Sequence, residues 1–143
     1  MVACAVALDD EIGVDVEYVD RSVPVEIADH YFAPPEVKAI HAEEISRRAA
    51  RFLDYWTLKE SYIKARGLGL TIPLDRFWIE LDDARPRLVV ARDLGDDGEA
   101  WQLAQHRPTD QHVLALCVRR RQPHIDRIVV WKQYPQSVRI PNN

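Results

Sequence analysis

The stretch Ile12-Gly13-Val14-Asp15-Val16-Glu17 alternates apolar and charged residues in the manner of a half-buried β-strand. Successive side chains of a strand point to opposite faces of the sheet, so Val14 and Val16 are expected to face a core. Asp15 and Glu17 then share the other face. The stretch is therefore predicted to be a strand that presents two neighbouring carboxylates.

A second motif, Trp56-Thr57-Leu58-Lys59-Glu60-Ser61-Tyr62-Ile63-Lys64, has the character of a helix. Residues four apart lie on one face of a helix, so Trp56, Glu60 and Lys64 are predicted to line up on one side. Lys59 is rotated by about 100° from Glu60 on a regular helix. It is therefore expected to face elsewhere or to reach across the rim of the same surface.

Together the two motifs supply three carboxylates, with a lysine beside them. Asp15, Glu17 and Glu60 offer oxygen ligands only, which suits Mg²⁺ or Mn²⁺ and argues against Zn²⁺. A cation held this way can clamp a pyrophosphate and stabilise charge on a departing phosphate oxygen. Glu60, which comes from a different element, is the candidate base for an attacking hydroxyl. Lys64 is the candidate for contacting the same phosphate, and an enzyme is the leading interpretation.

Each part of this pattern also has an ordinary structural explanation. Asp15 and Glu17 alone are typical of a solvent-facing strand edge. Glu60 and Lys64 alone form a common helix pair that contributes a few tenths of a kcal/mol. Trp56, on an apolar stripe, is expected to be a core residue. The combination favours a functional site, because none of these explanations accounts for both motifs at once.

The remaining pattern predicts a mixture of helices and strands. A short helix is expected within Val23–Phe32, and Pro35 fits the first turn of a second helix. Ser46 is the predicted N-cap of a long helix, Arg47–Arg66, which Gly67 and Gly69 stop. Strands are predicted at Val2–Leu8, Ile12–Val19, Phe77–Leu81, Arg87–Ala91, Trp101–His106, His112–Arg119 and Ile128–Lys132. The first two strands are expected to form a hairpin through Asp9-Asp10-Glu11, which would place the second strand inside a sheet.

Length and composition set limits on the class of protein. The 143 residues suffice for one domain, 1–143, with a core of about 2–133 and a polar tail, 134–143. A net charge of −4 argues against a nucleic-acid binder. No apolar run approaches the roughly 18 residues that a membrane span needs. Cys4 and Cys117 are expected to be buried free thiols in a reducing cytoplasm.

The two motifs closely resemble those of the 4′-phosphopantetheinyl transferases, in particular the surfactin-synthetase-activating type. That family carries (V/I)-G-(V/I)-D-(V/I)-E and then W-x-x-K-E-(S/A)-x-x-K. Both are complete here, in Gly13, Asp15, Glu17, Trp56, Lys59, Glu60, Ser61 and Lys64. Phe32-Ala33-Pro34-Pro35-Glu36 is similar to the family's F-(S/A)-P-x-E segment, and Leu70–Phe77 to the strand entry that follows its helix.

The resemblance implies a fold and a reaction. The fold would be α+β, an antiparallel sheet packed against one long helix and one or two short helices, as in one half of that family's fold. The reaction would be attack by a carrier-protein serine on the β-phosphate of coenzyme A, with adenosine 3′,5′-bisphosphate as the leaving group.

The resemblance also assigns roles to residues. Asp15, Glu17 and Glu60 would hold Mg²⁺, with Glu60 as base, and Lys59 and Lys64 would contact coenzyme A phosphates. The partner would be an acyl or peptidyl carrier protein. Such carriers are acidic, so Arg47, Arg48 and Arg51 are candidate docking residues, against the simpler interpretation of a solvated helix face.

The chain resembles only the second half of such transferases, and the family's S-H-(S/T) segment is missing. Three explanations are open: a fragment or misassigned start of a longer protein, self-association as a homo-oligomer that supplies the missing wall, or a degenerate copy without activity. The alternative function is a non-catalytic module that binds metal, coenzyme A or carrier protein. A metal-dependent nuclease would need a basic surface, and Arg119-Arg120-Arg121 is the only strong basic run.

Overall fold

The computed structural model describes residues 1–8, 10–81 and 85–120, and it confirms the α+β fold. The helices are α1 (Ile27–Tyr31), α2 (Pro34–Ala42) and α3 (Ile45–Arg66). The strands are β1 (Ile12–Tyr18), β2 (Phe77–Leu81), β3 (Pro86–Val90), β4 (Trp101–Thr109) and β5 (His112–Arg119). The predicted strand Ile128–Lys132 and the tail 134–143 lie outside the described residues.

Two antiparallel sheets are built from these strands. β1, β5 and β4 form one sheet in that order, and β2 pairs with β3 in the other. In the register of the larger sheet, Asp15 lies opposite Ala115 and Glu17 opposite Val113. Ala115, Val113 and Asp15 are buried, and β5 is the central strand of this sheet. β1 therefore obtains its support from a strand near the other end of the described chain.

The prediction that Val14 and Val16 face the core is wrong. Both are only half-buried and lie outside the core cluster. The reason is that α3 packs on the other face of β1, at Gly13.

The predicted hairpin at the start of the chain is wrong. Val2–Leu8 has no strand assignment, and the side chains of Val2 and Val6 are 94% and 89% exposed. An extended segment becomes a strand only when a neighbour accepts its backbone hydrogen bonds. Among the described residues β1 pairs with β5 alone, so it is an edge strand, and the prediction that it lies inside a sheet is also wrong. The same segment carries Cys4, which is exposed, so its predicted burial is wrong, whereas Cys117 is buried as predicted.

The long helix begins earlier than predicted. Its N-cap is Glu44 rather than Ser46, and no side chain caps it. Arg48 fixes this start from inside the helix, because its guanidinium donates to the carbonyl oxygens of Glu43 at 3.1 Å and His41 at 3.0 Å. The predicted end is confirmed, since Gly67 adopts the left-handed conformation at φ 63°. Within the described residues, no helix is both long and apolar enough to cross a membrane.

The core lies between α3 and the two sheets. Tyr62, Leu53 and Leu58 of α3 are fully buried, as are Phe77 of β2 and Ile40 of α2. The short helix α2 packs on α3, and so do strands β1 and β5 of the larger sheet. This arrangement fixes α3 along its length and places one of its faces against β1.

Asp96 joins the end of α3 to the loop before β4. Its carboxylate accepts hydrogen bonds from the Tyr62 hydroxyl at 2.7 Å and the Trp101 indole at 2.9 Å, and it pairs with Arg66. Burial alone would raise the pKa of Asp96. The hydrogen bonds from Tyr62, the Asp97 amide and Trp101, together with the charge of Arg66, outweigh burial and lower this pKa from its ordinary value of 3.8.

Asp96→Asn is expected to lower the free energy of unfolding by about 2 kcal/mol near neutral pH, because hydrogen bonds to a charged acceptor are lost. A carboxyl whose pKa is lower in the folded state stabilises the fold above its ordinary pKa. That contribution disappears as the pH falls below about 4. Urea unfolding should therefore show a large difference in the free energy of unfolding between variant and wild type at pH 7, and a smaller difference at pH 3. The exposed turn residue Asp110, changed to Asn, is the control, and a difference that stays constant with pH would contradict the role of Asp96.

Candidate active site

Gly13 is the point where α3 comes closest to β1. A Cβ at this position would lie 2.1 Å from the carbonyl oxygen of Ser61 and 2.4 Å from the amide nitrogen of Ala65. Only a glycine permits such an approach, because both neighbouring atoms belong to the helix backbone. The glycine of the first motif therefore brings the acidic face of β1 against the predicted face of α3.

The residues of that face meet β1 in order along the helix. The Trp56 indole donates to Glu17 Oε1 at 3.0 Å, and the Lys64 ammonium donates to Asp15 Oδ1 at 2.7 Å. Glu60 lies between these two donors, one helical turn from each. The predicted alignment of Trp56, Glu60 and Lys64 on one side of the helix is therefore confirmed.

Glu60 is half-buried and interacts electrostatically with both carboxylates of β1. Burial raises the pKa of Glu60, and the negative charges of Asp15 and then Glu17 raise it further, while Lys64 opposes them. The pKa of Glu17 is also raised, chiefly by burial and to a smaller degree by Asp15. The three acidic side chains thus repel one another in a partly desolvated space, which is the condition that a bound cation relieves.

Asp15 provides a direct test of whether a cation fits. Its Oδ2 atom is buried and has no hydrogen-bond partner among the described residues, although its Oδ1 is paired with Lys64. A buried carboxylate oxygen without a partner is costly, and a hard cation is one group that would satisfy it. Oxygen donors, mutual repulsion and an unpaired Oδ2 together fit Mg²⁺ or Mn²⁺.

The side chains as placed do not form a closed metal site. In residues 1–8, 10–81 and 85–120, no three His, Cys, Asp or Glu side chains converge closely enough to hold an ion. Both oxygens of Glu17 are occupied, since Arg21 binds Oε2 at 2.9 Å while Trp56 binds Oε1. The assignment of Asp15, Glu17 and Glu60 as metal ligands therefore stays a prediction.

Lys59 does not lie in this site. Its side chain is fully buried, and its ammonium donates to Glu36 Oε2 and to the Phe77 carbonyl oxygen, both at 2.7 Å. Burial lowers the pKa of Lys59 and raises that of Glu36, and the attraction between the two charges opposes both changes. The expectation that Lys59 faces away from Glu60 holds. The contact with coenzyme A that the resemblance implies finds no support in this placement, because the ammonium is enclosed.

The three arginines at the start of α3 have different surroundings. Arg47 is exposed. Arg48 holds the carbonyl groups at the joint between α2 and α3, and Arg51 lies 3.9 Å from Glu43 and 5.1 Å from the centre of the Tyr55 ring. Two of the three candidate docking residues thus have structural partners, and Arg47 is left as the one whose charge is open to solvent.

Sequence reasoning missed the contacts of Trp56 and Arg21 with Glu17 in the site, and the burial of Glu36 beside Lys59 outside it. Trp56 was predicted on the helix face of Glu60 and Lys64 and as a core residue, but its hydrogen bond to Glu17 was not foreseen. Arg21 follows β1 by three residues, and no pattern there indicates that it turns back to Glu17. Glu36 was noted only as part of a segment, and a glutamate after two prolines gives no sign of complete burial.

Comparison with known proteins places this arrangement in a family. The model of the 4′-phosphopantetheinyl transferase superfamily matches residues 11–117. A 4′-phosphopantetheinyl transferase of Bacillus subtilis is 31% identical over 116 residues, covering 81% of this chain and 50% of that protein. The transferase HetI of Nostoc is 31% identical over 116 residues, covering 80% of this chain and 46% of that protein. The chain thus spans about half the length of these curated relatives.

Solved structures share the fold. The holo-[acyl-carrier-protein] synthase of Thermotoga maritima superposes with a TM-score of 0.64 at 23% identity, over 78% of this chain and 64% of that one. The synthase of Bacillus anthracis was solved in complex with coenzyme A (3′,5′-ADP). It superposes with a TM-score of 0.59 at 20% identity, over 76% of this chain and 94% of that one. Since the family model covers both motifs and most of the chain between its ends, this protein belongs to the 4′-phosphopantetheinyl transferase superfamily.

Proposed function

We propose that the intact protein transfers the 4′-phosphopantetheine arm of coenzyme A to a serine hydroxyl of an apo acyl or peptidyl carrier protein. The products are the holo carrier and adenosine 3′,5′-bisphosphate. The observation that carries the proposal is the meeting of β1 and α3 at Gly13, which gathers three carboxylates and one ammonium on one surface. Membership of the superfamily and the coenzyme A complex of the Bacillus anthracis synthase support the choice of substrate.

Asp15, Glu17 and Glu60 would hold Mg²⁺ in this proposal. When bound, Mg²⁺ supplies positive charge that offsets the negative charge of a pyrophosphate. The repulsion among the three carboxylates and the unpaired Oδ2 of Asp15 support this assignment. Mn²⁺ suits the same oxygen donors.

Glu60 is the proposed acceptor of the serine proton. Its raised pKa makes the carboxylate a stronger base, and no hydrogen bond from the described residues ties its oxygens to a structural partner. Lys64 is the proposed phosphate contact, because its side chain is 49% exposed and can exchange Asp15 for a ligand oxygen. The free thiols of Cys4 and Cys117 suit a reducing compartment, so we place the reaction in the cytoplasm.

The test is to incubate the chain with coenzyme A, Mg²⁺ and an apo carrier protein and to weigh the carrier by mass spectrometry. The carrier should gain the mass of one phosphopantetheine arm. Glu60→Gln should slow this gain by about 10²- to 10⁴-fold, because a general base is removed. Glu26→Gln, which changes an exposed glutamate at the cap of α1, should leave the rate unchanged.

The outcome also separates the alternatives that the chain's length leaves open. If a version extended upstream modifies the carrier and the 143-residue chain does not, the second half alone lacks part of the substrate pocket. If neither modifies any carrier but the chain binds coenzyme A, it is a binding module. An unchanged rate in Glu60→Gln would contradict its assignment as base.

A further inference from the structure

Trp56 is held by a hydrogen bond at its indole N–H and by stacking of its ring, and the hydrogen bond indicates a role beyond the core. Its indole N–H donates to Glu17 Oε1 at 3.0 Å, across from β1. Its ring stacks on those of Phe52 and Phe32, with centroid distances of 5.8 and 6.3 Å and interplanar angles of 16° and 14°. Phe32 and Phe52 are buried and stack on each other at 5.2 Å. The direction of the indole N–H is therefore set before any ligand arrives.

The other partner of Glu17 is much less constrained. Arg21 binds Oε2 at 2.9 Å, but its side chain is 40% exposed and stacks on no ring among the described residues. An exposed guanidinium on a flexible side chain loses conformational entropy when it is held in one geometry, and this loss weakens the ion pair between Arg21 and Glu17. Of the two donors, Trp56 is the one able to orient the carboxylate.

We infer that Trp56 is a positioning residue that sets the orientation of the Glu17 carboxylate toward the cation. This inference rests on the proposed function, because it needs Glu17 to be a metal ligand. An indole N–H can only donate, so it cannot itself bind a cation. The Trp56 indole holds Oε1 of Glu17. Oε2 is then available to the cation when Arg21 releases it. Such outer partners of ligating groups change metal affinity substantially when they are removed.

Trp56→Phe tests the inference. It removes the N–H together with part of the indole ring, and it keeps an aromatic ring in the stack with Phe52 and Phe32. Binding of Mn²⁺ to the full chain is measured by electron paramagnetic resonance in the presence of coenzyme A. We expect Trp56→Phe to weaken Mn²⁺ binding by about 10- to 100-fold. Trp78→Phe, made in β2 of the other sheet, is the matched control and should bind as the wild type does.

A double-mutant cycle shows whether Trp56 acts through Glu17. In a Glu17→Gln background, Trp56→Phe should cause little further loss of Mn²⁺ binding, because the group it orients no longer ligates. A purely structural role would weaken binding by the same factor in both backgrounds. Independent, multiplicative losses would therefore overturn the inference while leaving the metal site intact.

The indole N–H resonance of Trp56, observed by nuclear magnetic resonance, tests the inference without an activity assay. The chain has four tryptophans, and loss of one indole N–H resonance in Trp56→Phe identifies that of Trp56. Titration with Mg²⁺ and coenzyme A should shift this resonance in a saturable way and leave that of Trp78 in place. If Mn²⁺ binds the wild type and Trp56→Phe equally, only the inference fails. If the wild type binds neither ion, the proposed metal site fails with it.

Discussion

Gly13→Ala is expected to separate α3 from β1 and to cost about 3 kcal/mol or more in the free energy of unfolding. The added Cβ would lie 2.1 Å from the Ser61 carbonyl oxygen and 2.4 Å from the Ala65 amide nitrogen, far inside van der Waals contact. Both are main-chain atoms, so no side-chain rotation relieves the clash and the whole helix must move. Urea unfolding followed by circular dichroism measures the loss.

Gly67→Ala is the matched comparison for this prediction. Gly67 has φ 63°, and a Cβ there meets nothing within 4 Å, so only backbone strain of about 1 kcal/mol opposes the change. Ala65→Gly should fail to rescue Gly13→Ala, because removing the Ala65 side chain leaves the clashing backbone in place. Equal stability of the two alanine variants would contradict the close approach of α3 to β1.

Glu36→Ala is expected to lower the free energy of unfolding by about 3–5 kcal/mol, since it leaves the Lys59 charge buried without its partner. The Glu36 carboxylate also accepts from the amides of Ala33 at 3.2 Å and Ile79 at 3.0 Å, so α2, α3 and β2 all lose a common acceptor. Thermal unfolding at several concentrations of urea measures the effect. Glu44 is exposed, and its side chain makes no capping hydrogen bond to α3. The free energy of unfolding of Glu44→Ala should therefore lie within about 0.5 kcal/mol of that of the wild type.

Lys59→Met extends this prediction to the other partner and separates a structural role from a ligand contact. The same range of destabilisation is expected, because the Glu36 carboxylate then stays buried without its opposite charge, although the amides of Ala33 and Ile79 still donate to it. The double change Glu36→Leu with Lys59→Met should recover part of the stability, but the backbone groups that the pair satisfied stay unpaired. Weakened coenzyme A binding at unchanged stability would instead show that the Lys59 ammonium reaches the ligand.

Local pattern was sufficient to predict several elements, although the alternation in β1 did not show which of its faces is buried. Phe77–Leu81 and His112–Arg119 were predicted with the bounds that the structure has, because alternation and turn residues delimit them. The end of α3 at Gly67 followed from the same kind of signal. The alignment of Trp56, Glu60 and Lys64 needed only the helical repeat.

What the sequence could not reveal depends on partners distant along the chain. Val2–Leu8 has the composition of a strand, but composition does not reveal the pairing partner of β1, which in the described residues is β5 alone. The burial of Lys59 depends on Glu36, which lies 23 residues away, and on Phe77, which begins β2 of the two-stranded sheet. The turn of Arg21 back to Glu17 depends on a backbone bend after β1 that no single residue specifies.

The pairing of β1 with β5 has a consequence for how the protein matures during translation. Ile12 lies opposite Val118, so two segments from opposite ends of the described chain must meet before this ladder can form. Such long-range contacts slow folding, because the loop between them must close first. Asp15 and Glu17 leave the ribosome early, yet they acquire their final support only after β5 emerges. A nascent chain is therefore expected to carry a formed α3 well before Asp15 and Glu17 reach their final positions.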